Sequence, residues 1–406
     1  MKPKIVGKQA MVLSGGAAYA AYEVGVMRAL FGGDSQVTFY TPLEVDIFTG
    51  TSGGSFNAAV MVSQPRSDNL TTVEYLERVW LDRLSARRDE CLDGAIRLRG
   101  DLGKLLNLSC LLGDPVRQVS QLVSDATFFA KDWFQRLVYF AISTEPLERR
   151  LLELIDLGTL AAPDTYIRAL RTSVDLEGIS RSPKALRVVA TDWTTGEARV
   201  FDNDELSGPD GLRIILGSSS LPGLPPVAVG KSLYVDGGFV MNTPLRPAIE
   251  AGADTLHVVY LDPNVKNIPV RRLRNTIDTI NKLYIINKAE ILNRDIDRAE
   301  VINRTVDTVA RLEERGTLDP GDAELLRGAE LEPWGHDQPD RPYRKLTIHR
   351  YHPRDDLGGA LGLVNFDPDQ LAVLIDRGYT DAVRHDCDES QCILPYRVDI
   401  PRALLL

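Results

Sequence analysis

Short apolar runs bounded by turn residues alternate along this chain with stretches of helical period. Ala10-Met11-Val12-Leu13, Val45-Asp46-Ile47-Phe48, Leu186 to Thr191 and Leu256 to Leu261 have the length and composition of buried strands. After the first, Tyr22, Val26 and Leu30 recur at helical spacing; after the second, Asn57 to Val62 opens another helix. Residues 65–142 interrupt this alternation. There Val73, Leu76, Val79, Trp80 and Leu84 predict an amphipathic helix, and Gly94 to Gly113 is a looser, Leu-rich stretch. Phe129, Trp133, Leu137 and Phe140 then fall on one face of a further helix, expected to pack its aromatics on the core, with a lid or interfacial patch as the other reading. Alternation returns at Thr144-Glu145-Pro146, read as a helix start capped by Thr144. Asn275 to about Glu314 reads as a polar helix with Ile277, Ile280, Tyr284, Ile291 and Val301 as its buried stripe. Asp319 to Arg341 reads as an exposed loop, Lys345 to Tyr351 as a last strand, and Pro368 to His385 as a closing helix. The whole predicts an α/β fold with a helical insertion.

Composition narrows the function classes. With 406 residues, 44% of them hydrophobic, a sizeable core is within reach. The formal charge of −10 argues against nucleic acid and against strong electrostatic docking on anionic lipid. No apolar run reaches the ~18 residues of a spanning helix, so any membrane contact is expected to be peripheral. The N-terminal Lys2, Lys4 and Lys8 before an apolar stretch mimic a signal peptide, but cleavage near Ala20 would remove a loop argued below to be functional. Cys91, Cys110, Cys387 and Cys392 are few and irregular, as expected of reduced cytoplasmic thiols. His385-Asp386-Cys387 with Cys392 has a metal-ligand look but lacks a fourth ligand and a Cys-x-x-Cys pair, so no metal and no cofactor is expected.

The candidate chemistry lies in three turns. Gly50-Thr51-Ser52-Gly53-Gly54 joins a strand to a helix with serine at the apex, the pattern of a nucleophile elbow. Upstream, Ser14-Gly15-Gly16-Ala17 connects the first strand to the first helix. A side-chain-poor loop at a helix N-terminus supplies N–H donors for a developing oxyanion, so Gly15 and Gly16, with Gly53 beyond the serine, are oxyanion-hole candidates. Downstream, Ser232-Leu233-Tyr234-Val235-Asp236-Gly237-Gly238 ends a strand in a carboxylate, where open α/β sheets place their chemistry.

Together these turns resemble the patatin-like phospholipase (lipid acyl hydrolase) family in its bacterial form. The resemblance extends through Ala21-Tyr22-Glu23-Val24-Gly25-Val26, Val189-Ala190-Thr191-Asp192, Thr195-Gly196-Glu197, Ser219-Ser220-Leu221-Pro222-Gly223, Pro225-Pro226-Val227, Asn242-Thr243-Pro244-Leu245 and Ala251-Gly252-Ala253-Asp254. It covers roughly 10–64 and 143–262, with a weaker match over 345–384. It implies a three-layer α/β/α fold around a mainly parallel sheet. The catalytic core would be 1–64 and 143–262, with a helical insertion and candidate lid at 65–142, and 263–406 completing the same domain. It further implies a Ser52–Asp236 dyad cleaving carboxyl esters of phospholipids or related lipids through an acyl-enzyme, with Gly50, Gly54, Gly237 and Gly238 supporting the turns. The expected setting is cytoplasmic or peripheral at a membrane surface, without nucleic acid.

In one place the pattern departs. Where the family's oxyanion loop reads Gly-Gly-Gly-x-Arg-Gly, this chain has Gly15-Gly16-Ala17-Ala18-Tyr19-Ala20. An alanine amide donates as well as a glycine amide, provided its position does not require positive φ. That departure keeps open a non-catalytic or weakly active lipid-binding protein. A Ser-His-Asp triad through His349, His352 or His385 is a further rival, although such enzymes place more strands before the elbow. A P-loop is excluded because no Gly-Lys-Ser/Thr follows Gly16, and a dinucleotide fingerprint breaks at Ala17 and Ala20.

Overall fold

In the computed structural model, the described residues are 7–86, 93–100, 115–152, 154, 161–221, 223–261, 276–329, 345–358 and 362–394. The apolar runs become the centre of an eight-stranded sheet in the order β10-β9-β1-β2-β5-β8-β7, with β6 paired to β5. In chain order these are β1 (Lys8–Leu13), β2 (Ile47–Thr51), β5 (Ala185–Asp192), β6 (Ala198–Phe201), β7 (Val227–Val229), β8 (Ser232–Asp236), β9 (Ala253–Val259) and β10 (Thr347–Tyr351). The two-residue strands β3 (Arg97–Leu98) and β4 (Ala161–Ala162) form a separate pair. From β10 to β5 the strands run parallel; β6, β7 and β8 add an antiparallel flank. In the register, Ala10 faces Ile47 on one side and Leu256 on the other.

Both faces of the sheet are covered, as continuous apolar strands require. On one face, helix α1 (Ala21–Gly32), helix α2 (Gly53–Val62) and helix α3 (Asn69–Val79) bury Tyr22, Val26, Leu30, Phe56, Val73 and Leu76 against Met11, Leu13, Phe48 and Val188. On the other, helices Leu245–Glu250 and Thr276–Glu314 cover Ala10, Val12, Ile47, Leu256 and Val258. The result is the mixed α/β architecture with a mostly parallel central sheet that the pattern implied.

Several elements differ from expectation. The stripe of the helix Thr276–Glu314 that meets the sheet is Ile296, Ala299 and Ile302, while Val301 is 43% exposed. The side chains of Ile277, Ile280 and Tyr284 lie outside the described residues. Within the expected loop of 319–341, Pro320–Ala329 is a helix with Ala323 buried. Asp319 accepts the Gly321 N–H at 2.6 Å, so Asp-Pro here marks a helix start, with the acid as cap and proline in the first turn. The helix after Pro146 begins at Leu147, and the Pro146 carbonyl, rather than the Thr144 side chain, accepts from the first turn.

The helix Pro115–Ile142 departs furthest. Of its predicted face only part is covered: Phe129 and Phe140 are half-buried, while Trp133 is 54% exposed and Leu137 also stands in solvent, as do the neighbouring Phe134 and Tyr139. It is tethered through polar groups. Buried Arg97 holds Asp125 bidentately at 2.6 and 2.9 Å and reaches Asp164 at 3.0 Å. No helix among the described residues is long and apolar enough to cross a membrane.

Candidate active site

The three turns read from the sequence converge at the C-terminal ends of β1, β2 and β8. Ser52 caps α2 with φ 54° and ψ −124°, a conformation that L residues avoid and that lifts the side chain out of the strand direction. The motif glycines make the turn possible by allowing close approach. A Cβ on Gly50 would stand 2.3 Å from the Gly54 carbonyl oxygen, and one on Gly54 2.5 Å from that of Leu13.

Neighbouring loops hold the elbow rigidly. The Ser52 N–H donates to Ser218 Oγ at 3.0 Å, and Ser218 Oγ donates to the Val189 carbonyl at 2.6 Å. Ser219 Oγ donates to the Ser52 carbonyl at 3.1 Å and lies 2.7 Å from the Tyr166 hydroxyl. Thr51 and Thr49 donate to the carbonyls of Met241 and Pro244, tying the elbow strand to the loop after Asp236.

Asp236 ends β8 and is almost fully buried, as is Ser52. Its Oδ1 accepts the Gly238 N–H at 2.7 Å, while Oδ2 has no hydrogen-bond partner in bonding geometry. Burial pushes this carboxyl up to about 6; the nearby Ser52 hydroxyl, the Gly238 amide and the Lys288 ammonium pull in the opposite direction. A buried carboxylate poised near neutrality, with one oxygen uncommitted beside a serine, can accept the hydroxyl proton.

The glycine loop is not quite as the sequence suggested. The Gly15 N–H is spent on the Asn242 carbonyl at 3.0 Å, which removes it from the oxyanion donors expected. Gly15 instead lies flat against Ser52, where an added Cβ would come within 3.0 Å of the serine Cβ. The amides of Gly16, Ala17 and Gly53 have no acceptor among the described hydrogen bonds. Ala17 and Gly53 line the same pocket as Ser52. Ala17 sits at φ +48°, so the position does require the left-handed region and the substitution carries strain. Tyr19, in place of the family's cation, is buried in the core with its hydroxyl toward Gly362.

The pocket over Ser52 is lined by Phe56, Trp80, Leu84, Tyr166, Leu224 and Phe366, with Trp80 and Phe366 stacked 6.4 Å apart. Its apolar wall suits a hydrocarbon chain. Beneath it, Trp80 donates to Asn57, and Asn57 donates to buried Glu23 at 2.9 Å, whose carboxyl burial raises well above the usual range.

The sequence offered no sign of Lys288. This buried lysine of the helix Thr276–Glu314 reaches the Gly15 carbonyl at 3.5 Å and bears electrostatically on Asp236, bringing a cation to the loop that lost its arginine. The four described histidines lie elsewhere. His257 is packed in β9 between Tyr351 and Gln9; His352 bonds only the adjacent Pro353 carbonyl; His349 and His385 gather with Cys387 and Cys392 at the β10 edge. His349 is the fourth potential ligand that the sequence did not reveal. Cys91 and Cys110 lie outside the described residues.

The family model described as patatin-like phospholipase matches residues 11–249. The chain is 31% identical over 150 residues to a triacylglycerol lipase of Schizosaccharomyces pombe, covering 30% of this chain and 22% of the lipase. Patatin-like phospholipase domain-containing proteins of Chaetomium globosum and Neurospora crassa are 31% and 32% identical over 134 and 135 residues, in each case 27% of this chain and 15% of theirs. The match thus spans less than a quarter of these relatives. Among solved structures, VipD of Legionella pneumophila aligns over 93% of this chain and 66% of its own at 14% identity, with a TM-score of 0.35. The family match takes in the glycine loop, the elbow and the Asp236 turn, and on it the chain belongs to the patatin-like phospholipase family.

Proposed function

We propose that the protein hydrolyses carboxyl esters of lipids, with Ser52 as nucleophile and Asp236 as its base. The observation that carries this reading is the pairing of a strained, buried serine with a buried carboxylate held near pH 6 beside an apolar pocket. Asp236 Oδ2 takes the Ser52 proton as Oγ attacks the ester carbonyl. The oxyanion then develops against the amides of Gly53 and Ala17, with Gly16 as a third candidate. Each well-placed donor lowers such a barrier by about 3–4 kcal/mol. Asp236 returns the proton to the leaving alcohol, and a water repeats the sequence to release the acid. Lys288 is a positioning cation: it favours the carboxylate over the neutral acid and steadies Gly15.

The substrate class follows from two surfaces. The pocket takes the acyl chain, and the solvent-facing apolar side of the helix Pro115–Ile142 meets the lipid aggregate that supplies it. On this reading the protein acts at the surface of the lipid aggregate.

A fluorophosphonate probe tests the assignment. Labelling of the folded protein at Ser52, together with release of fatty acid from lipid esters, is expected, and both should vanish in Ser52→Ala without loss of thermal stability. Folded wild-type protein that neither labels nor turns over lipid would favour the alternative of a lipid binder.

A further inference from the structure

At the sheet edge opposite the antiparallel flank, two imidazoles and two thiols that no part of the ester chemistry uses come together. His349 lies in β10. His385 follows the helix Pro368–Val383, and Cys387 and Cys392 sit in the turn beyond it. One ligand atom from each of the four lies within 4.8 Å of all the others. Cys387 Sγ is 3.5 Å from His349 Nδ1 and 3.6 Å from His385 Nε2, and His385 Nε2 is 3.3 Å from Cys392 Sγ. A zinc tetrahedron with bonds of ~2.0–2.3 Å to nitrogen and sulfur has edges of roughly 3.3–3.8 Å. All three separations fall in that range.

The surroundings are those of a built site. Ser390 Oγ is 3.4 Å from His385 Nδ1, which leaves Nε2 to face the sulfurs. The Arg350 N–H points at Cys392 Sγ at 3.4 Å, a donor suited to thiolate charge. Asp386 Oδ1 accepts the amides of Asp388 and Glu389, and the Cys392 N–H bonds the Cys387 carbonyl at 2.9 Å, closing the turn that carries both sulfurs. His257 stacks on His349 at 5.1 Å and Tyr351 packs on His385 at 4.5 Å, fixing both rings.

We propose that His349, His385, Cys387 and Cys392 form a tetrahedral N2S2 site for a zinc-class divalent cation. Binding releases the two thiol protons, so that two thiolates neutralise the ion and the two imidazoles coordinate uncharged. All four positions are filled by protein, the mark of a structural rather than a catalytic ion. Three strand spacings, ~14 Å at ~4.8 Å each, separate β10 from the elbow strand β2. The cation instead fastens the edge strand, the closing helix and the 385–393 turn to one another, where Ile348 and Ile393 also exchange two hydrogen bonds of 2.9 Å. The closing helix is in turn pressed onto α1, with Gly25 against the Ile375 carbonyl and Gly378 against that of Tyr22. Since α1 follows directly from the glycine loop, the ion stiffens the wall behind the reacting serine.

Metal analysis of the full-length protein, expressed with zinc and purified without chelator, tests this. About one zinc per chain is expected, falling to a small fraction in Cys387→Ser/Cys392→Ser and in His349→Ala. The protein stripped by a chelator should take up Co(II) with the ligand-field and thiolate charge-transfer bands of a tetrahedral N2S2 site. Its Cys387 and Cys392 should become open to alkylation, and its thermal midpoint should fall by several degrees. Wild-type protein that carries no stoichiometric metal and shows no such cobalt spectrum would overturn the proposal. So would a Cys387–Cys392 disulfide found by intact mass and peptide mapping. Since wild-type metal content and the cobalt spectrum are read directly, the outcome does not depend on whether the variants fold, or on whether Ser52 is catalytic.

Discussion

Ala17 and Asp236 are two residues at which the fold gives up stability to the site. Ala17 holds a left-handed backbone that disfavours an L side chain by roughly 1–2 kcal/mol. Ala17→Gly should therefore stabilise the protein by about 1 kcal/mol in chemical denaturation and leave turnover nearly unchanged, since the amide already occupies its place. A loss of stability would mean that the alanine methyl contributes more than its strain takes away. Tyr19→Arg, in contrast, should destabilise, because it would place a cation where the phenol is packed in the core. At Asp236 the sign is set by burial. The folded carboxyl is raised from 3.8 to about 6, so the native state holds its proton more tightly than the unfolded chain. Stability therefore falls as pH rises from about 4 to about 6 and is level above. Asp236→Asn removes that penalty. It should abolish turnover yet raise stability at pH 7.5 by up to about 3 kcal/mol, with the gain gone below pH 4. Equal stabilities of variant and wild type at pH 7.5 would show that the carboxylate is well compensated. In the wild type, kcat/KM should decline as pH falls through about 6, as the base is protonated.

Among the elements, legibility followed the range of the interaction. The elbow, the glycine loop and the Asp236 turn are local: each compresses backbone so tightly that particular glycines are forced, and short strands flank them in sequence. The central strands were legible for a similar reason, since a strand covered on both faces must be apolar throughout. What could not be read was set by distant partners. Asn242 claims the Gly15 amide through its backbone carbonyl from more than two hundred residues away, and Ser218 and Tyr166 brace the elbow from helices whose sequences look ordinary. Val301 was assigned to the buried stripe because it is apolar, although the face that meets the sheet passes through Ile296, Ala299 and Ile302. The same long helix carries Lys288 to the site. Its ammonium favours ionised Asp236, so Lys288→Met should raise the carboxyl further and move the acidic limb of kcat/KM upward in pH, with a lower plateau. An unchanged pH profile with an unchanged plateau would leave Lys288 a packing residue only.

For the whole molecule, the proposed activity raises the question of how a buried serine would meet a lipid ester. The net charge of −10 disfavours attraction to anionic lipid, so the attachment proposed above would rest on apolar contact. The helix Pro115–Ile142 offers it. Trp133, Phe134, Leu137 and Tyr139 face solvent on an element held to the body through the Arg97–Asp125 pair. Burying a large apolar side chain contributes ~1.5–3 kcal/mol, and ~1.4 kcal/mol is tenfold in affinity. Trp133→Ser/Phe134→Ser should then weaken binding to zwitterionic phosphatidylcholine vesicles at least about tenfold, with a parallel loss of vesicle hydrolysis. Hydrolysis of a short-chain soluble ester, which needs only Ser52, Asp236 and the pocket, should be unaffected, and raising salt should not weaken vesicle binding. An equal loss on both substrates would place the helix in the catalytic body. Undiminished vesicle binding by the variant would move the membrane contact elsewhere. Separating the two proposed functions matches the architecture: the sheet holds Ser52 and Asp236 within rigid turns, while the exposed helix would bring the lipid to them.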